Sequence, residues 1–174
     1  DLLEPKIILP ALGESNRFRS EGYFLHKMFL PLNIGWKTLL IDEIVSTFIK
    51  SELQIVIGAN SIVSKILEDW AYLRGHGRQI KILTIDEKTE GQAHTVQHML
   101  SKLRYAQTTP LVIHNIDTIL RYEFPTEKTK NLLHTVKLPG DHWSFVLPDQ
   151  QTSKVIRVTE KERISDYCCN GLYC

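Results

Sequence analysis

Gln54-Ile-Val-Ile57 is a short apolar run closed by Gly58, and the amphipathic segment after it begins at Ser61. A continuous apolar run of this length predicts a strand that is buried on both faces. The following segment predicts a helix with Ser61 as its N-cap, ended by the turn Gly75-His-Gly77. The apolar residues that repeat there at helical spacing are Ile62, Ile66, Trp70 and Leu73.

The same alternation of strand and helix extends on both sides of this unit. Further apolar runs predict strands at Lys6-Ile-Ile-Leu9, at residues 79 to 85 and at Pro110-Leu-Val-Ile-His114. Residues 38 to 50 predict a helix, and another begins at Thr89 or Glu90. Their core-facing positions are Leu40, Ile41, Ile44, Val45 and Phe48 in the first, and Ala93, Val96, Leu100 and Leu103 in the second. Such βαβ units predict an α/β fold with a mostly parallel sheet and helices on both faces.

The pattern changes after Asp117. Residues 132 to 138, 143 to 147 and 155 to 159 predict strands, and the loops between them contain Pro125, Pro139-Gly140 and Pro148-Asp149. No linker rich in Pro, Ser or Gly separates the two halves. We therefore predict a single domain over residues 1 to 174, in which the second half extends the sheet of the first.

The composition excludes several classes of protein. The chain has 174 residues, and 21 Lys and Arg against 20 Asp and Glu give a formal net charge of +1. This balance argues against a dedicated nucleic-acid-binding protein, and no apolar run approaches the roughly 20 residues of a membrane span. Cys168, Cys169 and Cys174 lack the spacing of a zinc site and are typical of reduced cysteines, so we expect a cytoplasmic protein.

Three polar segments follow predicted strands, where an open parallel sheet binds its ligand. The loop Leu12-Gly-Glu-Ser-Asn-Arg-Phe18, with Lys27 beyond it, can gather backbone N–H groups and two cations around a phosphate. It matches neither the P-loop nor the dinucleotide pattern, and a plain surface loop is the alternative. Asp117 can hold Mg²⁺ against phosphates, or it caps a turn. Thr89-Glu-Gly-Gln-Ala93 is a weaker candidate, because simple helix entry also explains it.

Other polar residues favour structural explanations. On physical grounds alone, Glu160 and Lys161 form a solvated ion pair. His94 and His98 stand four residues apart but lack the Glu of a metalloprotease motif, so satisfied histidines are the better interpretation. The tryptophans are most simply packing residues: Trp36, Trp70 and Trp143.

Eight short segments occur in one order along nearly the whole chain: Ile8-Leu-Pro-Ala-Leu-Gly-Glu-Ser-Asn-Arg-Phe18, Lys27 with Leu30-Pro31, Thr38-Leu-Leu40, Gly91-Gln-Ala93, Asn115-Ile-Asp117-Thr118, Trp143-Ser-Phe145, Glu160-Lys161 with Ile164-Ser165, and Gly171-Leu-Tyr173. In these segments the sequence resembles the sugar-phosphate nucleotidyltransferases, nearest to those of bacterial capsule and surface-polysaccharide pathways. The resemblance implies a Rossmann-like three-layer sandwich of the nucleotide-diphospho-sugar transferase type. It also implies a nucleotide-binding half at residues 1 to 120 and an acceptor-binding half at 121 to 174.

The resemblance implies a role for each matching residue. Those expected to bind the nucleotide are Leu12, Gly13, Glu14, Ser15, Asn16, Arg17, Lys27, Gly91, Gln92 and Asn115. Those expected to act in catalysis are Arg17, Lys27 and Asp117, with Asp117 as the Mg²⁺ ligand. Those expected to contact the acceptor are Trp143, Glu160, Lys161 and Gly171.

The implied reaction moves a nucleoside monophosphate from a nucleoside triphosphate, with CTP favoured, to a phosphorylated sugar or polyol, and it releases pyrophosphate. A homo-oligomer formed at a sheet edge is compatible with this family. The alternatives are a glycosyltransferase that uses a nucleotide sugar, and a non-catalytic nucleotide-binding relative. Asn115-Ile-Asp117 offers one acid where such glycosyltransferases usually have two.

The sequence departs from the family at three points. Ser15 replaces the second glycine of the loop, where the backbone usually tolerates a positive φ or a close approach to phosphate. Asn16 stands where Ser or Thr is usual. A second metal-binding aspartate, normally nearer the C-terminus, has no match, and we expect further elements beyond Cys174.

Overall fold

The computed structural model describes residues 4–33, 35, 37–121 and 131–174 and divides the chain into two compact units, Asp1–Thr129 and Lys130–Cys174. Trp36 and Pro125, named above, lie outside the described residues. None of the described helices is long and apolar enough to cross a membrane.

The first unit contains a four-stranded parallel sheet. Its strands are β1 (Lys6–Pro10), β2 (Ile55–Ala59), β3 (Ile80–Thr84) and β4 (Leu111–His114). They are arranged in the order β3-β2-β1-β4, and every pair is parallel. The helices are α1 (Asn16–Ser20), α2 (Leu40–Ile49), α3 (Ser61–Leu73) and α4 (Gln92–Leu103), and Lys27–Phe29 forms a 3₁₀ turn. The predicted α/β fold with a mostly parallel core is confirmed. Successive strands are added on one side of β1 up to β3, and β4 is then added on its other side, so the strand order reverses at β1.

Side chains from this sheet are buried on both faces. Ile8 of β1 and Val56 of β2 pack with Val96 and Met99 of α4 in one cluster. On the opposite face, the ring of Phe48 in α2 meets His114 of β4 edge to face, with centroids 5.3 Å apart. The central strands β1 and β2 are buried on both sides because helices cover both faces, which explains their continuous apolar runs.

Of the residues that repeat at helical spacing in α3, Trp70 is buried and Ile66 is half-buried, but the two at the ends are exposed. Ile62 and Leu73 are 75% and 80% exposed. The cap was also misplaced: Asn60, and not Ser61, accepts a hydrogen bond from the backbone N–H of Val63. The period of the helix was right, but its rotation is set by packing on β2 and β3. The buried residues are Val63, Ser64, Leu67, Trp70 and Ala71.

Two further expectations about the first unit need correction. The helix expected from Thr89 or Glu90 begins at Gln92, after Gly91, and Ala93 is exposed on it. Its buried residues are Thr95, Val96 and Met99. The polar loop after β1 also contains a short helix, α1.

The second unit is an antiparallel sheet in the order β5-β8-β6-β7. Its strands are β5 (Leu133–Lys137), β6 (Ser144–Pro148), β7 (Val155–Glu160) and β8 (Tyr167–Tyr173). The three predicted strands of this region are confirmed, and β8 is a fourth strand that contains Gly171. The side chains buried in this unit are Phe145, Val146, Cys168 and Leu172.

Candidate active site

A cavity of about 730 Å³ lies at the carboxyl ends of the parallel strands in the first unit. An open parallel sheet gathers the loops of neighbouring strands at this edge. The predicted residues that line the cavity are Leu12, Gly13, Glu14, Lys27, Gly91, Gln92, Asn115 and Asp117. Further lining residues were not predicted: Asn60 after β2, Asp86, Glu87 and Lys88 after β3, and Thr95 in α4. Except for Thr95, which lies within α4, their positions just after strands are the signal that could have found them.

The loop after β1 turns at Ser15, whose backbone is left-handed, with φ 53° and ψ 32°. This conformation favours glycine and costs a residue with a Cβ about 1–2 kcal/mol. The carbonyl of Ser15 accepts hydrogen bonds from the N–H groups of Phe18 and Arg19, which starts α1. The glycine-like backbone of the loop is therefore kept although the residue has changed.

The side chain of Ser15 joins this loop to the lysine segment. Its Oγ accepts a hydrogen bond from the backbone N–H of Lys27 at 3.2 Å. Asn16 and Arg17 do not line the cavity: the Asn16 amide donates to Glu14 at 2.9 Å, and Arg17 is exposed on α1.

Lys27 and Asp117 meet at the cavity although 90 residues separate them in the sequence. The Nζ of Lys27 lies 2.6 Å from Oδ2 of Asp117, and the two side chains are 22% and 44% exposed. Thr118 Oγ1 donates to the other Asp117 oxygen at 3.3 Å. The cavity thus places one cation beside one carboxylate, both accessible to a ligand.

An amide pair connects two loops beside the same cavity. The side-chain amide of Gln92, at the start of α4, donates to Oδ1 of Asn115, after β4. The buried ring of His114 contacts the Asn115 carbonyl through Nδ1. Burial lowers the pKa of His114, so the neutral ring donates its Nδ1 proton to that carbonyl. These contacts fix the direction of the amide groups that face the cavity.

His26 is a residue that the sequence analysis missed. Its Nε2 lies 2.8 Å from the Gly13 carbonyl, and its Nδ1 accepts from the Met28 N–H at 3.3 Å. Burial lowers the pKa of His26 to about 4, and the charges of Lys27 and Arg19 contribute in the same direction. No local pattern indicates this contact, because it depends on the fold of the intervening loop.

Asp117 is also the residue that could hold a metal ion. Within residues 4–33, 35, 37–121 and 131–174, no three His, Cys, Asp or Glu side chains are grouped for metal binding. Magnesium is commonly bound through one or two carboxylates together with substrate phosphates and water. The accessible carboxylate of Asp117, beside Lys27 at the cavity, therefore fits an ion that arrives with a nucleotide.

The histidine pair on α4 has a structural explanation. Nδ1 of His94 accepts from the Glu90 N–H at 3.2 Å, so its Nε2 carries the proton. That Nε2 lies 3.1 Å from Nε2 of His98, which accepts it. The two rings satisfy each other, as the sequence analysis expected.

The predicted acceptor residues gather at one end of the second unit's sheet. The Lys161 N–H donates to the Trp143 carbonyl at 2.9 Å, across the end of β6 and β7. Lys161 has a left-handed backbone, φ 56°, and its ammonium lies 3.7 Å from the exposed carboxylate of Glu160. Cys168 of β8 pairs with Phe145 near the start of β6, and because the two strands are antiparallel, the rest of β8 continues towards the end where Trp143 lies. Gly171 is in that part of β8, with φ 89°, where the pairing of β5 with β8 shifts its register. Trp143 donates its indole N–H to the Pro139 carbonyl at 3.0 Å.

Comparison with solved structures relates this architecture to a family. A nucleoside-diphosphate-sugar pyrophosphorylase from Vibrio cholerae RC9 superposes with a TM-score of 0.79 and 28% sequence identity, covering 96% of this chain and 71% of that one. The chain resembles the sugar-phosphate nucleotidyltransferases. No protein-family model matches the sequence, and no curated protein matches it either.

Two more distant structures share the fold of this chain. A Bacillus anthracis protein assigned as a glucose-1-phosphate thymidylyltransferase, solved with sucrose, has a TM-score of 0.77 at 18% identity over 97% of this chain and 70% of its own. An inositol-1-phosphate CTP transferase from T. maritima has a TM-score of 0.75 at 15% identity over 99% and 70%. The expected resemblance and the Rossmann-like fold class are thereby confirmed.

Proposed function

We propose that the protein is a nucleotidyltransferase that moves a nucleoside monophosphate from a nucleoside triphosphate to a phosphorylated sugar or polyol and releases pyrophosphate. The observation that carries the proposal is the Lys27–Asp117 pair at 2.6 Å beside the loop after β1. This pair supplies a phosphate-binding cation and a metal-binding carboxylate at one cavity. The fold, which is similar to that of an enzyme named as a nucleoside-diphosphate-sugar pyrophosphorylase, supports the same chemistry.

In the proposed reaction, a phosphate oxygen of the acceptor attacks the α-phosphorus of the triphosphate, and the bond to the departing pyrophosphate breaks. The protein would act by positioning its substrates and stabilising charge, without a covalent intermediate. Lys27 would bind the phosphates, and the N–H groups of the loop at Gly13 to Ser15 would surround them. Arg17, exposed on the adjoining helix, would need the bound nucleotide to draw it towards the triphosphate.

Asp117 would hold Mg²⁺, which would supply charge neutralisation to the phosphates. The chain's own part is to present one carboxylate whose second oxygen is already oriented by Thr118. Gln92 and Asn115, joined by a hydrogen bond, would hold the nucleoside on the other wall.

The pyrimidine preference and the acceptor class belong to the proposal as well. Two of the related structures carry the names thymidylyltransferase and CTP transferase, and both names refer to pyrimidine nucleotides. Their names also specify glucose 1-phosphate and inositol 1-phosphate, a sugar phosphate and a polyol phosphate. CTP with either class of acceptor is the first combination to test, and a role in surface-polysaccharide synthesis would follow from a sugar product.

Pyrophosphate release tests the proposal. The protein is incubated with MgCl₂, each of CTP, UTP, dTTP, GTP and ATP, and a panel of sugar and polyol phosphates. We expect release that requires both substrates. Release of pyrophosphate without any phosphorylated acceptor would instead indicate a hydrolase, and sugar transfer in a parallel incubation with a nucleotide sugar would indicate a glycosyltransferase. Nucleotide binding without turnover would indicate a non-catalytic relative.

Matched variants assign the chemistry to the cavity. Lys27→Ala and Asp117→Asn should each lower kcat/KM by about two orders of magnitude or more, since each removes charge stabilisation of the transferring phosphates. Lys6→Ala is the control, because Lys6 is similarly exposed at 20%, is ion-paired with Glu4 at 2.9 Å and lies at the opposite end of β1. Equal activity in all three variants would contradict the assignment.

A further inference from the structure

We propose that His26 is a positioning residue that holds the phosphate loop and the Lys27 segment in the geometry that binds the triphosphate. The inference rests on the proposed function and adds a residue to it. It starts from the geometry of one imidazole ring, which bridges two segments that both reach the cavity.

The bridge has a defined direction. The Gly13 carbonyl can only accept a hydrogen bond, so Nε2 of His26, 2.8 Å away, must carry the proton. The backbone N–H of Met28 can only donate, so Nδ1, at 3.3 Å, must be unprotonated. Only the neutral ring protonated at Nε2 satisfies both contacts. Because the ring is only 9% exposed, loss of either hydrogen bond would leave a buried nitrogen without a partner, which would cost free energy.

The bridge acts on groups that face a ligand. Gly13 and Lys27 both line the cavity, and His26 immediately precedes Lys27. In a trans peptide the N–H of Glu14 points opposite to the Gly13 carbonyl, so the contact with His26 also fixes the direction of that N–H. Ser15 Oγ provides a parallel tie by accepting from the Lys27 N–H at 3.2 Å. The loop and the lysine are thus connected twice, through two different side chains.

The bridge also stays neutral near two cations. Desolvation, and then the charges of Lys27 and Arg19, lower the pKa of His26 to about 4, whereas Asp117 and the Gly13 hydrogen bond oppose this change. The ring therefore keeps its donor and acceptor roles at neutral pH. A charged ring would lose its acceptor and would place two N–H donors against each other at Nδ1.

The test separates positioning from a general effect on folding. His26→Leu removes both hydrogen bonds at similar volume, whereas the amide of His26→Gln can donate to the Gly13 carbonyl in place of Nε2. We expect His26→Leu to raise KM for the nucleotide about tenfold and to leave KM for the acceptor phosphate unchanged. His26→Gln should recover most of the loss. His76→Leu, in the turn after α3, is the control and should match the wild type.

Each other outcome has a defined meaning. If Lys27→Ala abolishes turnover but His26→Leu keeps wild-type nucleotide KM, the inference about His26 is wrong and the proposed function stands. If the wild type neither binds nor turns over any nucleotide, the proposed function itself fails. Should His26→Leu not fold, His26→Asn takes its place, because the shorter amide can still accept from the Met28 N–H but cannot reach the Gly13 carbonyl. An unchanged nucleotide KM in His26→Asn would overturn the inference.

Discussion

Protonation of His26 should make the stability of the protein depend on pH. The pKa of this ring is about 4 in the folded chain, against 6.5 for the unperturbed side chain. The unfolded state therefore binds the proton more tightly. The resulting stabilisation is fully present above pH 6.5 and is lost as the pH falls from 6.5 towards 4.

The two pKa values set the size of the effect. At pH 7.5 protonation of His26 leaves the free energy of unfolding almost unchanged, and at pH 5 it lowers that free energy by about 2 kcal/mol. His114 is also buried with a lowered pKa and contributes with the same sign. The difference between the wild type and His26→Gln isolates the contribution of His26.

Urea unfolding followed by tryptophan fluorescence at pH 7.5, 6.5, 5.5 and 5 measures the effect. We expect the wild type to lose about 2 kcal/mol more than His26→Gln between the two ends of this range. His76→Gln, which removes a histidine from a turn, should keep the wild-type dependence. Parallel curves for the wild type and His26→Gln would refute the conclusion that the folded protein holds this ring neutral.

Three further predictions concern stability, and urea unfolding at neutral pH checks each. Gly58→Ala should lower the free energy of unfolding by about 1–3 kcal/mol, because the added Cβ would lie 2.6 Å from the sulfur of the fully buried Met99. An unchanged urea midpoint would mean that the Met99 side chain moves aside without cost. Asn60→Ala should cost about 1 kcal/mol by removing the cap on the Val63 N–H, whereas Asn60→Asp should cost less. Arg104→Gly should stabilise by up to about 1 kcal/mol, since Arg104 ends α4 with φ 53°, and a loss of stability would contradict this reasoning.

At Ser15 the family pattern predicted the backbone conformation but not the contact that the side chain makes. The resemblance indicated a loop position that usually tolerates a positive φ or a close approach to phosphate, and the structure has φ 53° there. The sequence could not reveal that the substituted side chain has acquired a partner of its own. Ser15 Oγ accepts from Lys27, so the hydroxyl offsets part of the backbone strain that it accompanies.

The helices show what local pattern leaves open. The spacing of apolar residues predicted α2 with its buried face, including Ile44 and Phe48. In α3 the same spacing predicted the helix and included the buried Trp70, but it also included Ile62 and Leu73, which are exposed. Both faces of that helix carry apolar residues, so periodicity alone could not choose between two neighbouring rotations. The choice was made by contact with β2 and β3.

The sequence by itself determined the alternation of strands and helices, the parallel core and the edge of the sheet at which Asp117 lies. These features follow from short-range periodicity and from the rule that parallel strands end on one side. Only the tertiary structure decided that Asp117 pairs with Lys27, that Gln92 meets Asn115, and that Arg17 stays outside the cavity. Such contacts join residues far apart in the chain, and their geometry depends on how whole elements pack, which no local pattern encodes.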